Sequence, residues 1–270
     1  MKAATAIGIV VAMVLIAAGA TMEGTQIAHL FNVPAVLIIV GGLTGVSLAT
    51  SGMDLMKRLP ALYKTAIGGD SPDVAAQVQL LVGYAEKARR EGLLALEAEL
   101  AGVEDPFMKK GLQLVVDGTD PELVREVLDV EIEAMESRHR AGQQLFKDAG
   151  AYAPTLGVLG TVMGLTHVMS NLDKPATLGP AIAGAFIATL YGVGSANVIF
   201  LPVAGRLKGL SQAEVHTRSM IVEGIMAIQA GENPRVVSEK LMGFVAPELR
   251  ESAGGAPNLK AVDGGQAQAA

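Results

Sequence analysis

The chemistry this sequence can support begins with two hydroxyls and the lack of any acid beside them. The stretch "AYAPTLGVLGTVMGL", residues 151–165, carries no charge, and it sets Thr161 among Gly157, Gly160 and Gly164. A second apolar run, 179–203, carries Thr189. A hydroxyl both donates and accepts, so it can hold a water or coordinate a hard cation. Yet the apolar runs 3–20, 33–50, 150–170 and 179–203 contain no Asp, Glu, Lys or Arg. Carrying a proton through hydrocarbon usually calls for a carboxylate at membrane depth. Either the chain moves no ions, or another chain supplies the acid. His167 is the one ionisable side chain within a run, and it lies near the outer end of the third.

A different chemistry is offered by "EKARREGLLALEAEL", which places Arg89, Arg90, Glu91, Glu97 and Glu99 around Gly92. Two readings compete. Such charges can be a solvated helical face, where exposed pairs add little stability. They can also select a partner by complementary potential. Catalytic sets are missing: the four histidines are scattered, with no HExxH, no phosphate-binding glycine loop and no GxSxG turn. With no cysteine, a disulfide framework or thiolate metal site is excluded. The expectation is a protein that is not an enzyme and needs no cofactor. The net charge of −6 and the lack of a basic run with aromatics argue against nucleic acid as a partner.

These residues must be positioned by helices in a lipid bilayer. Half of the chain is hydrophobic, only 4% is aromatic, and the mean hydropathy is +0.41. Each of the four runs is close to the roughly 20 residues needed to cross the hydrocarbon core. A cleaved leader ending at "AAGA", 17–20, is the alternative for the first run, but the second follows closely enough to be its hairpin partner. Lys57, Arg58 and Lys64 follow the second run, Arg138, Arg140 and Lys147 precede the third, and Arg206, Lys208 and Arg218 follow the fourth. The 21–32 loop has no Lys or Arg, and 171–178 has only Lys174 beside Asp173. This asymmetry places both termini and the long 51–148 segment in the cytoplasm.

The fold expected is therefore an all-α membrane protein, with four transmembrane helices and a helical cytoplasmic insertion between spans two and three. The division is a hairpin over 1–52, a cytoplasmic domain over 53–148, spans three and four over 149–204, cytoplasmic helices over 205–250 and an unstructured tail over 251–270. Span two opens at Asn32-Val33-Pro34, and span three ends one long helix that begins near Thr119-Asp120-Pro121-Glu122, which resembles a capping box. After Gly92 the helix is expected to resume through "LLALEAEL". The small residues of span three meet a matching stripe in span four: Ala181, Ala185, Ala188, Thr189, Gly192, Ser195 and Ala196. Either the stripes pack the two helices together, or they border a path for an ion or a moving partner helix.

Together these pieces resemble the MotA/PomA stator subunits of the bacterial flagellar motor, over roughly residues 5–250. The pieces are "NVPAVLIIVGG", "RREGLLALE", "YAPTLGVLGTVMGL", "TLYGVGSANVIFLPVAGRL" and "MAIQAGENPRVVSEKL", in that order. "GTVMGL" alone is shared with the wider MotA/TolQ/ExbB proton channel group. The resemblance implies a ring of five subunits around a MotB-like single-span partner carrying the essential aspartate, in the bacterial inner membrane. It implies H+ or Na+ as coupling ion and the rotor protein FliG as the cytoplasmic partner. It also assigns residues: Arg89 and Glu97 to the rotor contact, with Arg90 able to share the role. Thr161 and Thr189, with Gly160 and Gly164, fall to the ion path or channel lining, and Pro154 and Pro202 to conformational change. The runner-up is a TolQ/ExbB-type energiser of an envelope system.

Overall fold

The computed structural model describes residues 4–25, 30–70, 72–173 and 175–250. Lys174, used above for orientation, and the 251–270 tail lie outside them. All regular structure among the described residues is helical. The helices are α1 (Ala4–Met22), α2 (Val33–Val36), α3 (Gly42–Lys57), α4 (Leu59–Gly68), α5 (Val74–Glu91), α6 (Pro106–Val116), α7 (Pro121–Met169), α8 (Pro175–Ser195), α9 (Leu201–Gln229) and α10 (Pro234–Met242). Two π-helical segments, Leu37–Gly41 and Ala196–Phe200, join α2 to α3 and α8 to α9.

The helix starts follow local chemistry. Asn32, Asp73, Asp105 and Asn233 each accept a backbone N–H from the first turn of the helix they precede, relieving donors that have no intrahelical partner. At α7 the side chain that does this is Asp120, from the Glu122 N–H at 2.9 Å, rather than Thr119. Gly231 turns at φ +68 just past the end of α9, a conformation glycine adopts without strain.

Three helices are long and apolar enough to cross a membrane: Ala4–Met22, Val33–Lys57 and the apolar part of Thr177–Gln229. The expected third span is the C-terminal part of α7 and does not stand among them. Its glycines, threonines, Tyr152, Pro154 and His167 dilute its hydropathy, and the rest of α7 is polar. The helix itself runs unbroken through Pro154 to Met169.

The chain divides into two compact units. One is drawn from Met1–Asp70 and Glu136–Gln212, the other from Ser71–Met135 and Ala213–Ala270. The first holds the apolar helices. Its interior is small: Ala66, Phe146, Val203, Ala204 and Leu207 form one cluster, and Leu43, Ala149, Ala153 and Ala196 another. Tyr63 meets Phe146 edge to face with centroids 4.9 Å apart. No residue of α1 is buried. The second unit has a large core in which Leu81, Leu96, Phe107, Met108, Leu112, Leu128, Met220, Ile221, Ile225 and Leu241 are almost wholly enclosed. Each such side chain contributes about 1.5–3 kcal/mol through burial. Ion pairs Arg125–Glu223 (2.9 Å) and Lys110–Glu131 (2.7 Å) lie at its rim.

Candidate functional site

Thr161 and Thr189 are brought together where α7 crosses α8. Their Oγ1 atoms are 2.5 Å apart, and Thr161 Oγ1 also lies 3.1 Å from the carbonyls of both Gly157 and Ala185. Thr189 Oγ1 is 3.3 Å from the Gly157 carbonyl. Two hydroxyl protons serve four contacts, so Thr189 can donate to Thr161 while Thr161 donates to a carbonyl. Lone pairs remain on both hydroxyl oxygens. The cluster is a clasp between helices made only of neutral oxygen donors, the kind that suits water or a hard monovalent cation.

The close approach behind this clasp comes from missing side chains. A Cβ on Gly192 would sit 2.3 Å from the Ala153 carbonyl, and one on Gly157 would sit 3.0 Å from the Ala188 carbonyl. Cβ atoms on Gly160 and Gly164 would lie 2.7 and 2.6 Å from the Cβ atoms of Ala188 and Ala185. The small stripe of α7 therefore faces α8 of the same subunit. Of the two readings of that stripe, the geometry of Gly160 and Gly164 matches helix packing. The outward faces carry bulk instead: Val158, Val162 and Met163 on α7, and Phe186, Leu190 and Val193 on α8, are all exposed. His167 is exposed near the end of α7.

Pro154 lies inside α7, one turn before Gly157. Pro202 follows the π segment Ala196–Phe200 after one intervening residue, Leu201. A proline interrupts the hydrogen-bond ladder and crowds the carbonyl four residues earlier. Widening the turn before Pro202 relieves that crowding. Two features escaped the sequence reading. Pro180 stands inside α8, and the Tyr191 hydroxyl donates to the Leu30 carbonyl. The signal for the second was present, since a tyrosine in an apolar run needs a partner for its O–H.

In the second unit, "RREGLLALE" forms an elbow rather than a resumed helix. α5 stops at Glu91, Gly92 adopts φ +86, and two short 3-10 turns follow, Leu93–Leu96 and Leu100–Gly102. Leu96 and Leu100 are buried. Lys87 Nζ meets Glu99 Oε1 at 2.5 Å. That hydrogen bond raises the Lys87 pKa above the ordinary lysine value; desolvation opposes it, and attraction by Glu99 and Glu91 adds to it. Arg90 pairs with Glu86 at 3.1 Å on the same helix. Arg89 and Glu97 are exposed, and neither forms an ion pair among the described residues.

The fold and the crossing define a helical membrane protein with hydroxyls, but no acid, in its four apolar runs. The profile of the MotA/TolQ/ExbB proton channel family matches residues 99–220. Motility protein A of Bacillus subtilis (strain 168) is 37% identical over 269 residues, covering 99% of this chain and 97% of that one. The solved flagellar MotAB stator complex from Bacillus subtilis contains a chain 38% identical, with a TM-score of 0.86 over 91% of this chain and 97% of that one. C. jejuni MotAB gives 29% identity and a TM-score of 0.87, over 92% and 97%. The chain belongs to the motility protein A family. Its function is that of a stator subunit of the flagellar motor.

Proposed function

We propose that this subunit crosses the bacterial inner membrane four times, with both termini in the cytoplasm and residues 150–169 as the third span. Five copies form a ring around a MotB-like partner whose single span supplies an aspartate, and the flow of H+ or Na+ past that aspartate turns the ring against FliG. The observation that carries this reading is the missing acid. The four apolar runs contain no carboxylate, while the solved structures that this chain resembles are MotAB complexes. The Lys and Arg asymmetry supports the orientation.

Within this frame the Thr161–Thr189 clasp borders the ion path, and its oxygens can share a desolvated cation as it passes the partner's carboxylate. Pro154 and Pro202 interrupt the ladders of their helices and allow those helices to flex. Arg89 and Glu97 face the rotor. The test is ion flux in liposomes. The subunit alone should conduct neither proton nor sodium, and adding the single-span partner should open conduction that is lost when the partner's aspartate becomes asparagine. Conduction by the subunit alone would overturn the reading.

A further inference from the structure

We propose that Leu94 is the apolar anchor of the rotor contact, standing in the chain between Arg89 and Glu97. The inference rests on the rotor-contact reading given above. Single exposed leucines are ordinary on protein surfaces, but the elbow gives this one a defined setting. In a 3-10 turn, residues three apart eclipse one another. Leu93 and Leu96 therefore share one line and turn inward: Leu93 packs against the core and Leu96 is 0% exposed. Leu94 and Glu97 share the next line and turn outward, with Leu94 72% exposed.

The turn is braced from behind. Leu96 and Leu100 enter the core, and Lys87 ties to Glu99 across the bend. A leucine held on a braced turn loses little freedom when a partner covers it, which favours binding. The charges beside it are also ready to bind. Arg90 is engaged by Glu86, whereas Arg89 and Glu97 have no ion-pair partner among the described residues. One cation, one apolar side chain and one anion thus follow one another along the elbow, all exposed. The complementary surface is an apolar side chain or shallow groove flanked by an acidic group on one side and a basic group on the other. In such contacts the charges steer encounter and register, while a covered apolar anchor supplies most of the grip.

The test uses the full chain with its native partner, in cells that lack their own stators. Leu94→Asp should abolish torque, and Leu94→Ala should weaken engagement on the order of tenfold. Leu94→Met should retain near-normal torque. Membrane abundance and melting should stay unchanged in all three, because the side chain has no core contacts to lose. The chain has no cysteine, so Leu94→Cys carries a unique thiol. Its reaction with a membrane-permeant maleimide should slow several-fold when the rotor protein is present, while a Val130→Cys control, 59% exposed on α7, should not change. Wild-type torque from Leu94→Asp, in cells where Arg89→Glu with Arg90→Ala fails to swim, would overturn the anchor and leave the rotor reading standing. Normal swimming by all of these variants would overturn both. Equal maleimide protection with and without the rotor protein would place Leu94 against another stator chain and overturn the proposal.

Discussion

At the α7–α8 crossing, two backbones come so close that a Cβ on Gly192 would touch the Ala153 carbonyl at 2.3 Å. At the elbow, Leu94 and two charges stand clear of the core. The first region contains no charge, and its oxygens are bonded to one another. The second leaves a cation and an anion exposed, and hides only the leucines that hold the turn. Within the membrane helices, what matters is which atoms are absent, because lipid provides no hydrophobic drive for helices to pair. On the water side, what matters is which groups are left unpaired, because solvent makes such groups inexpensive to expose.

The sharpest way to break this comparison is to add bulk at the crossing. Gly192→Leu should destabilise the helix pair by several kcal/mol, since overpacking costs about 1–3 kcal/mol even where neighbours can move and here the neighbour is backbone. The check is melting of the detergent-solubilised complex together with swimming, and both should collapse. Gly160→Leu should act in the same way but less severely, because it meets a side chain. Arg89→Glu combined with Arg90→Ala should give the opposite pattern: torque lost, with melting and membrane abundance at wild-type levels. If that pair lowers the melting temperature as much as Gly192→Leu does, the elbow is a structural element and the contrast fails.

Smaller effects sharpen the picture. Thr189→Ala removes an interhelical hydroxyl, a loss of roughly 0.6 kcal/mol in membrane proteins, so melting should barely move. A change in the dependence of swimming speed on external sodium would mark the clasp as part of a sodium path. A speed that follows pH alone, before and after the change, would assign the proton. The smallest effect is expected at Lys87–Glu99. The folded pKa of Lys87 is raised, so the contribution of this pair is fully present below the ordinary lysine value of 10.5 and fades only as pH rises through the higher folded value. Hydrogen exchange over residues 92–100 should therefore be flat from neutral pH to the ordinary lysine value of 10.5 once intrinsic exchange is corrected, and Glu99→Gln should speed it modestly at all of those pH values.

Much of the helical frame was legible because its signals are local. The start at Asn32 and the long helix from near Thr119 follow from residues within a turn of each boundary. The apolar runs 3–20, 33–50 and 179–203 were visible by length and composition, and they fall on the helices Ala4–Met22, Val33–Lys57 and Thr177–Gln229. The pairing of Thr161 with Thr189 was foreshadowed by two small stripes at matching spacing, but the sequence left open whether those stripes meet each other or a different chain. The elbow misled the reading of "LLALEAEL" as helix. Those residues have good helix propensity, and propensity gives way when Gly92 breaks the turn and Leu96 and Leu100 find burial in 3-10 geometry. The π segments left no local signature beyond Pro202, because a single wide turn has the same apolar composition as the helix around it.

The wide turn Ala196–Phe200 has a consequence for how this chain tolerates changes in length. An α-helix advances about 100° per residue, and a π turn accommodates one residue more than its neighbours. Deleting Val198 would leave an apolar helix of almost unchanged hydropathy, and insertion into the membrane would proceed as before. The angular phase beyond the deletion would be nearly kept, because the turn that held the extra residue closes to an α turn. Val203, Ala204 and Leu207, which pack with Phe146, would keep their places, and so would Arg206, whose guanidinium donates to the Gly69 carbonyl. The segment therefore works as a slack turn: it stores one spare residue, and a one-residue gap there would leave the packing after it in register, whereas the same gap in the regular helix on either side would turn it by about 100°.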